Sequence, residues 1–371
     1  MSLAPRMSAL AILKDIDHGE FTLDNHMDRF HLESRFDRRD AAFVTALVYG
    51  VLRWRRRLDW ILSTVSTTPL AKLDPYVINI LRMGLYQIIF MDRVPNSAAV
   101  NTSVDLTKAL KKKWLTGFVN GVLRNALRRL PEIKLPSSEN NPVRTLSLAQ
   151  SMPKWIVKRW IRQFGLQEAT SLCEAANQIP LLTLRTNTLK TDQATLISNL
   201  QTIAEVVRPS VYAPDGIVLE GLKGFLFSSP AFDKGWFQVQ DEAAQAVSYL
   251  LAPKPGQTVL DACAGLGGKT AHIAALMENF GHIAATDRDG RKLEILDKVM
   301  HRLDIKIVSS QIVDLEAFNT SYLPEQFDRF FLDAPCSGLG VIRSNPVAKW
   351  TRSTQYIDRC VKRKMQLLMN I

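Results

Sequence analysis

Thr258-Val259-Leu260-Asp261-Ala262-Cys263-Ala264-Gly265-Leu266-Gly267-Gly268-Lys269-Thr270 is the stretch on which the fold turns. A short apolar strand runs into a glycine-rich loop, and Ala271 to Met277 continues at helical spacing. Strand, loop and helix in that order form the opening unit of a doubly wound α/β sheet. Three more strands follow: His282 to Thr286 closed by Asp287, Lys306 to Ser309 followed by Asp314, and Asp328 to Leu332 closed by Asp333. Carboxylates therefore stand just beyond strand C-termini, where ligands bind in such sheets.

Upstream of this domain the pattern differs. From Ala9 to Leu130 apolar residues recur at helical intervals, as in Ile78, Leu81, Leu85, Ile88 and Ile89, which predicts an all-helical domain over residues 1–135. Gly117 and Gly121 interrupt one of its helices, and their small size would admit a close approach. Pro131, Pro136, Pro142 and Pro153 among Ser and Asn suggest a linker at 136–153. Residues 154–238 read as a small α+β module. It has amphipathic helices at Lys154 to Phe164 and Gln167 to Gln178, then extended segments with a turn at Asp215-Gly216. The α/β domain occupies 239–371.

The chain has 371 residues and a net charge of +11, so a polyanionic partner is expected. Residues 1–135 hold 21 Lys and Arg against 13 Asp and Glu, so most of the excess lies there. It gathers at Arg53, Arg55, Arg56 and Arg57 around Trp54, at Lys111, Lys112 and Lys113 before Trp114, and at Arg124, Arg128 and Arg129. Lys158 and Arg159 add to it on the following module. Basic side chains neutralise phosphates and neighbouring aromatics stack on unpaired bases, so the interleaving suits RNA, although any one cluster could be an ordinary solvated helix face. No window approaches the roughly 20 apolar residues of a bilayer span, and no signal peptide is evident, so a cytoplasmic monomer without membrane contact is expected. Cys173, Cys263, Cys336 and Cys360 are too widely spaced for zinc-ligand pairs or a disulfide framework, and no metal is expected.

The spacing of the loop narrows the cofactor. It lacks the G-x-G-x-x-G order that sets a helix N-terminus against a pyrophosphate. Asp261, Asp287, Asp314 and Asp333 instead suit a cationic, phosphate-free ligand such as S-adenosylmethionine (SAM). Cys263, Ala264, Gly265, Leu266, Gly267, Gly268 and Lys269 would line its site, and Asp287 would receive the ribose diol. Any one of the carboxylates could merely cap the helix that follows it.

Asp333-Ala334-Pro335-Cys336-Ser337-Gly338 places a thiol where the fourth strand meets its loop. Methylation of an amino group needs no thiol. C5 of a pyrimidine does, because that carbon is a poor nucleophile: a thiolate adds to C6, C5 becomes enamine-like and takes the SAM methyl, and loss of the C5 proton lets the thiol leave. Cys336 and Asp333 are the candidate catalytic residues, Asp333 bonding the base edge. A lone cysteine would more often be an inert buried thiol.

These segments, with Val341-Ile342-Arg343 and Pro346 before Lys349-Trp350, resemble the signature blocks of bacterial RNA cytosine-C5 methyltransferases. Tyr49-Gly50-Val51-Leu52-Arg53, Gly84-Leu85-Tyr86-Gln87 and Asn120-Gly121-Val122-Leu123-Arg124 similarly resemble NusB-like RNA-binding domains. The combination is similar to the Sun/Fmu type of enzyme and extends over essentially the whole chain. The resemblance implies SAM-dependent methylation of a cytosine in 16S ribosomal RNA of the small subunit. The sequence departs from the family pattern at Ala264-Gly265-Leu266, usually Ala-Ala-Pro, and before Lys349, where the usual acidic residue is missing. The family also uses two cysteines. Cys336 matches the one that assists product release, whereas the attacking cysteine of a later Thr-Cys-Ser block has no counterpart here, and Cys360 lies in a helical stretch. With the fourth strand left as an apolar edge, a truncated domain that binds RNA but transfers little methyl is expected. The alternative is a non-catalytic RNA-binding or ribosome-assembly factor.

Overall fold

The computed structural model describes residues 2–19, 22–33, 36–136, 141–224, 226–317 and 326–371. The chain folds as two units. Met1–Ile179 and Gly338–Thr354 form the first, Pro180–Ser337 and Gln355–Ile371 the second.

The first unit is helical. It contains α1 (Ala4–His18), α2 (Leu23–Glu33), α3 (Arg38–Val65), α4 (Pro75–Phe90), α5 (Asn96–Ala109), α6 (Thr116–Arg129), α7 (Pro142–Ala149) and α8 (Lys154–Ala175). Local chemistry starts these helices: Asp37 accepts from the backbone N–H of Asp40 at α3, and Asp74 accepts from that of Tyr76 at α4, where Pro75 opens the first turn. Leu47, Val51, Leu58, Leu62, Ile80, Leu81 and Leu123 meet in the core. Gly50 and Gly84, from the blocks quoted above, allow the closest approaches. An added Cβ at Gly50 would lie 2.0 Å from the Tyr86 ring, and one at Gly84 would lie 2.7 Å from Leu123. Gly117 and Gly121 were expected to admit such an approach, but among the described residues nothing beyond the helix's own neighbouring backbone lies within 4 Å of a Cβ added at either.

The expected linker is partly ordered helix. α7 lies inside it, capped by the Asn141 side chain with Pro142 in its first turn, because proline suits the start of a helix even though it disrupts an interior. Residues 137–140 of that linker lie outside the described residues. The two helices read at 154–178 form α8, interrupted where Gly165 adopts φ 81° and ψ 170°.

The second unit begins with an antiparallel sheet of β1 (Leu182–Thr186), β2 (Ala204–Pro209), β3 (Gly216–Leu222) and β4 (Phe237–Val239) in the order β2-β3-β1-β4. With α9 (Gln193–Leu200) and α10 (Pro230–Asp233), it buries Leu184, Leu196, Ile217 and Phe237. After α11 (Glu242–Leu251) come β5 (Thr258–Asp261), α12 (Gly268–Leu276), β6 (His282–Asp287), α13 (Gly290–Leu303), β7 (Val308–Ile312) and β8 (Arg329–Phe331). These strands are parallel in the order β7-β6-β5-β8, with Leu260 opposite Ala284 and Phe330. β7 starts two residues later than the sequence reading placed it. β8 occupies the expected sheet edge among the described residues, with Phe330 half exposed. α14 (Ala348–Thr351) lies in the segment that joins the helical unit, and α15 (Thr354–Met369) closes the chain.

The contact at Gly50 makes a direct prediction. Gly50→Ala should destabilise the chain by about 1–3 kcal/mol, since the Tyr86 ring is stacked against Phe90 and must move. Urea unfolding measures this, and an unchanged or raised stability would contradict the packing described.

Candidate functional site

Parallel pairing brings the ends of β5, β6 and β8 side by side, and the backbone then ties the loop to them. The N–H of Ala262 bonds to the Phe331 carbonyl at 2.9 Å, and that of Ala264 to the Thr286 carbonyl at 2.9 Å. Gly267 turns the chain into α12 with φ 81°, and a Cβ there would meet Leu296 at 2.7 Å, so the turn requires glycine both for its conformation and for packing on α13. The loop faces a cleft of about 230 Å³ lined by Gln240, Ala244, Asp261, Cys263 to Leu266, Gly268, Lys269, Phe331 and Asp333.

Asp261 is the buried anion of this cleft, only 1% exposed. One carboxylate oxygen accepts from Thr270 Oγ1 at 2.7 Å, while the other is buried with no hydrogen-bond partner of good geometry among the described residues. Desolvation pushes its pKa up to about 6 against the bond from Thr270, and the charge of Asp333 adds to the rise. A buried acceptor lacking a donor fits a cationic amino group, and the glycine loop fits a ligand that comes close to backbone. The residues present therefore fit SAM.

The four carboxylates have different positions. Asp333 lies in the cleft in an ion pair with Lys269. Asp287 accepts from the N–H of Gly265 at 3.1 Å and from that of Asp289 at 2.9 Å, so it anchors the loop and is not among the cleft-lining residues. Asp314 is exposed and caps a turn by accepting from the N–H of Glu316 at 2.9 Å.

Gln240 and Arg185 carried no signal in the sequence. Arg185, on β1 and 1% exposed, donates to the Gly268 carbonyl at 2.8 Å and to Gln240 Oε1. It supports the start of α12 from the antiparallel sheet, and burial lowers its pKa to about 9. An arginine in an alternating strand reads as a solvent-facing residue, which is why pattern alone does not find it.

The cysteines also separate. Burial pushes the Cys173 thiol up to about 12 and the Cys263 thiol up to about 11, leaving both protonated at neutral pH. Cys263 lines the cleft from the loop. Cys360 lies within α15, and Cys336 is exposed on the segment after β8.

Among the basic residues read as RNA contacts, Lys111, Lys113, Arg124, Lys158 and Arg159 are exposed on the helical unit, and Trp114 beside them is 80% exposed. Arg53 is different. It is 5% exposed and donates to the Arg343 carbonyl at 2.9 Å, so it is an interior residue of this unit. Arg55 pairs with Asp17 at 2.8 Å, Lys112 pairs with Asp74, and Arg56 is half-buried. Trp54 stacks on Phe90 at 4.8 Å. Charge clusters in a sequence do not distinguish these inward arginines from outward ones, because that depends on which helix face the core takes.

Comparison with known proteins agrees with this arrangement. Residues 3–128 match the NusB family, 152–223 the ferredoxin-like domain of RsmF/B-like methyltransferases, and 248–371 the 16S rRNA methyltransferase RsmB/F family. The chain is 36% identical over its whole length to a probable ribosomal RNA small subunit methyltransferase B of Synechocystis sp., covering 82% of that protein. It is 36% identical over 88% of its length to the probable Bacillus subtilis protein of the same name, covering 72% of it. Identity to the Pseudomonas putida ribosomal RNA small subunit methyltransferase B is 32% over 98% of this chain and 81% of that one. Among solved structures, the crystal structure of PH0851 is similar with a TM-score of 0.79 and 26% identity, covering 100% of this chain and 83% of that one. A methyltransferase homolog from Pyrococcus horikoshii gives 0.54 and 27%, covering 62% and 72%.

The state of Asp261 has a pH signature. Its folded pKa of about 6 lies above the ordinary value of 3.8. The stability it contributes is therefore fully present below about pH 4 and is lost as pH rises through about 6. Asp261→Asn should gain stability relative to the wild type between pH 4 and 7, read as a Tm difference without cofactor. A pH-independent difference would contradict the buried, raised carboxyl.

Proposed function

The chain belongs to the ribosomal RNA small subunit methyltransferase B family, and we propose that it methylates C5 of a cytosine in 16S ribosomal RNA through a cysteine adduct. SAM, when bound, supplies an electrophilic methyl group. Asp261 and the loop from Cys263 to Lys269 hold it, with Asp287 fixing the loop and Asp333 at the rim of the cleft. Asp314, exposed and capping its own turn, is left out of this set.

The observation that carries the reading is the Lys269–Asp333 pair in the cleft, with Asp333 three residues before the exposed Cys336. A cytosine edge offers an amino donor at N4 and acceptors at N3 and O2. Asp333 can accept from the amino group, and Lys269 keeps N–H donors for O2. Addition to C6 of the attacking cysteine's thiolate, a residue the resemblance does not match to any of residues 1–371, would send electron density toward N3 and O2, where the Lys269 charge stabilises it. Breaking the new C6–S bond after a base removes the C5 proton restores the ring and frees the thiol. Cys336 is the thiol at this corner, and the family resemblance gives it the release half of that cycle.

The target base must leave its stack to reach such a corner. Lys111, Lys113, Trp114, Arg124, Lys158 and Arg159 are the exposed basic and aromatic residues that would hold the surrounding RNA.

Reaction with methyl-labelled SAM and 16S ribosomal RNA, followed by nucleoside analysis, tests the proposal. Whatever label is transferred, however slowly, should appear in 5-methylcytidine, and Lys269→Met should lower the rate by about 100-fold or more, as for loss of a charge-stabilising donor. Label in N4-methylcytidine or on ribose would overturn the reading.

A further inference from the structure

Lys349 stood out in the sequence because the acidic residue that would pair with it is missing. The structure supplies other partners. Lys349 lies thirteen residues after Cys336, on α14, and is 1% exposed. Its Nζ donates to the carbonyls of Arg53 at 3.1 Å and Ser151 at 3.4 Å, and to Asn177 Oδ1. An ammonium has three N–H donors, so all three are matched, none of them by a carboxylate.

The surrounding contacts form one cluster within the helical unit. Trp350 Nε1 donates to the Leu52 carbonyl at 2.7 Å, next to the Arg53 carbonyl that Lys349 takes. Arg56 and Arg57 N–H, which face these two carbonyls one turn back along α3, donate to Ser151 Oγ at 2.9 and 3.4 Å. Ser151 itself sits at φ +49°, a costly conformation for a residue with a Cβ unless its surroundings hold it. Arg53 Nη2 bonds to the Arg343 carbonyl, and Arg343 Nη2 bonds to the Ile179 carbonyl at 3.0 Å.

We infer that Lys349 is a positioning residue: it locks the strap Gly338–Thr354 into the ladder of α3 and so fixes the chain leading directly from Cys336. This builds on the reading of Cys336 as the reactive corner. The polypeptide leaves the second unit after Ser337 and returns to it at Gln355, so the strap is the stretch of the helical unit covalently next to that corner. Its anchoring also sets Trp350 into the wall of a groove of about 640 Å³ with Arg55, Arg56 and Trp60. Burial, with the neighbouring Arg53 charge, pulls the Lys349 pKa down to about 7, a cost that a strap needing only to be filled by an apolar side chain would not incur.

Amide hydrogen exchange and Cys336 alkylation by iodoacetamide, measured on the 371-residue chain without RNA or cofactor, test the assignment. Lys349→Met keeps the chain length and removes every donor. Peptides within 338–354 should exchange about tenfold faster or more, those covering β5 and α12 should be unchanged, and Cys336 should alkylate at a rate altered at least about threefold. Unchanged strap exchange overturns the lock. Faster strap exchange with unaltered Cys336 alkylation makes Lys349 a packing residue and also overturns the assignment. Should Lys349→Met fail to fold, Trp350→Phe removes the bond to the Leu52 carbonyl together with part of the ring, and the same two readouts apply. Failure of the methylation reading would appear in the nucleoside analysis and leave these readouts untouched.

Discussion

The parallel pairing of β5 with β6 on one side and β8 on the other fixes where every group of the site can be. Leu260 is locked between Ala284 and Phe330, so Asp261, Asp287 and Asp333 emerge at the same edge of the sheet. Backbone bonds from Ala262 and Ala264 to the neighbouring strands then leave the glycine loop little freedom. The carboxylates take distinct roles from their surroundings: Asp261 is desolvated against Thr270, Asp287 accepts from the N–H groups of Gly265 in the loop and of Asp289, and Asp333 is neutralised by Lys269. One chemical group repeated at strand ends thus yields a buried acceptor, a loop anchor and an ion pair lining the cleft.

Support for this edge comes from a second sheet. Arg185 reaches from β1 to the start of α12, and Asn187 bonds to the carbonyls of Gly235 and Leu303 at 2.9 and 3.0 Å. The antiparallel module therefore braces the cofactor cleft within one unit, besides any role on RNA. The bonds of the buried Arg185 guanidinium go to the Gly268 carbonyl and the Gln240 amide oxygen.

Local patterns carried much of this to the surface of the sequence. The strand–loop–helix at 258–277 and the aspartates closing later strands are short-range features, and the structure has them at nearly the positions read. Helical periodicity likewise identified the first unit, although proline content hid α7. What stayed hidden depends on tertiary partners. Arg53 and Arg55 look like RNA contacts until the packing of α3 turns them toward Arg343 and Asp17. Lys269 reads as loop until β8 brings Asp333 to it, and Lys349 looks unpaired until Arg53, Ser151 and Asn177 converge on it.

The proposed methylation takes place at C5 of a cytosine, beside the thiol of Cys336 and the Lys269–Asp333 pair. Substitution at C5 must expel its hydrogen, whereas methylation of the amino group or the ribose leaves it in place. Reaction on 16S ribosomal RNA carrying [5-³H]cytidine therefore measures it directly. The account predicts tritium released to water in step with methyl groups incorporated; incorporation with the tritium retained would contradict it.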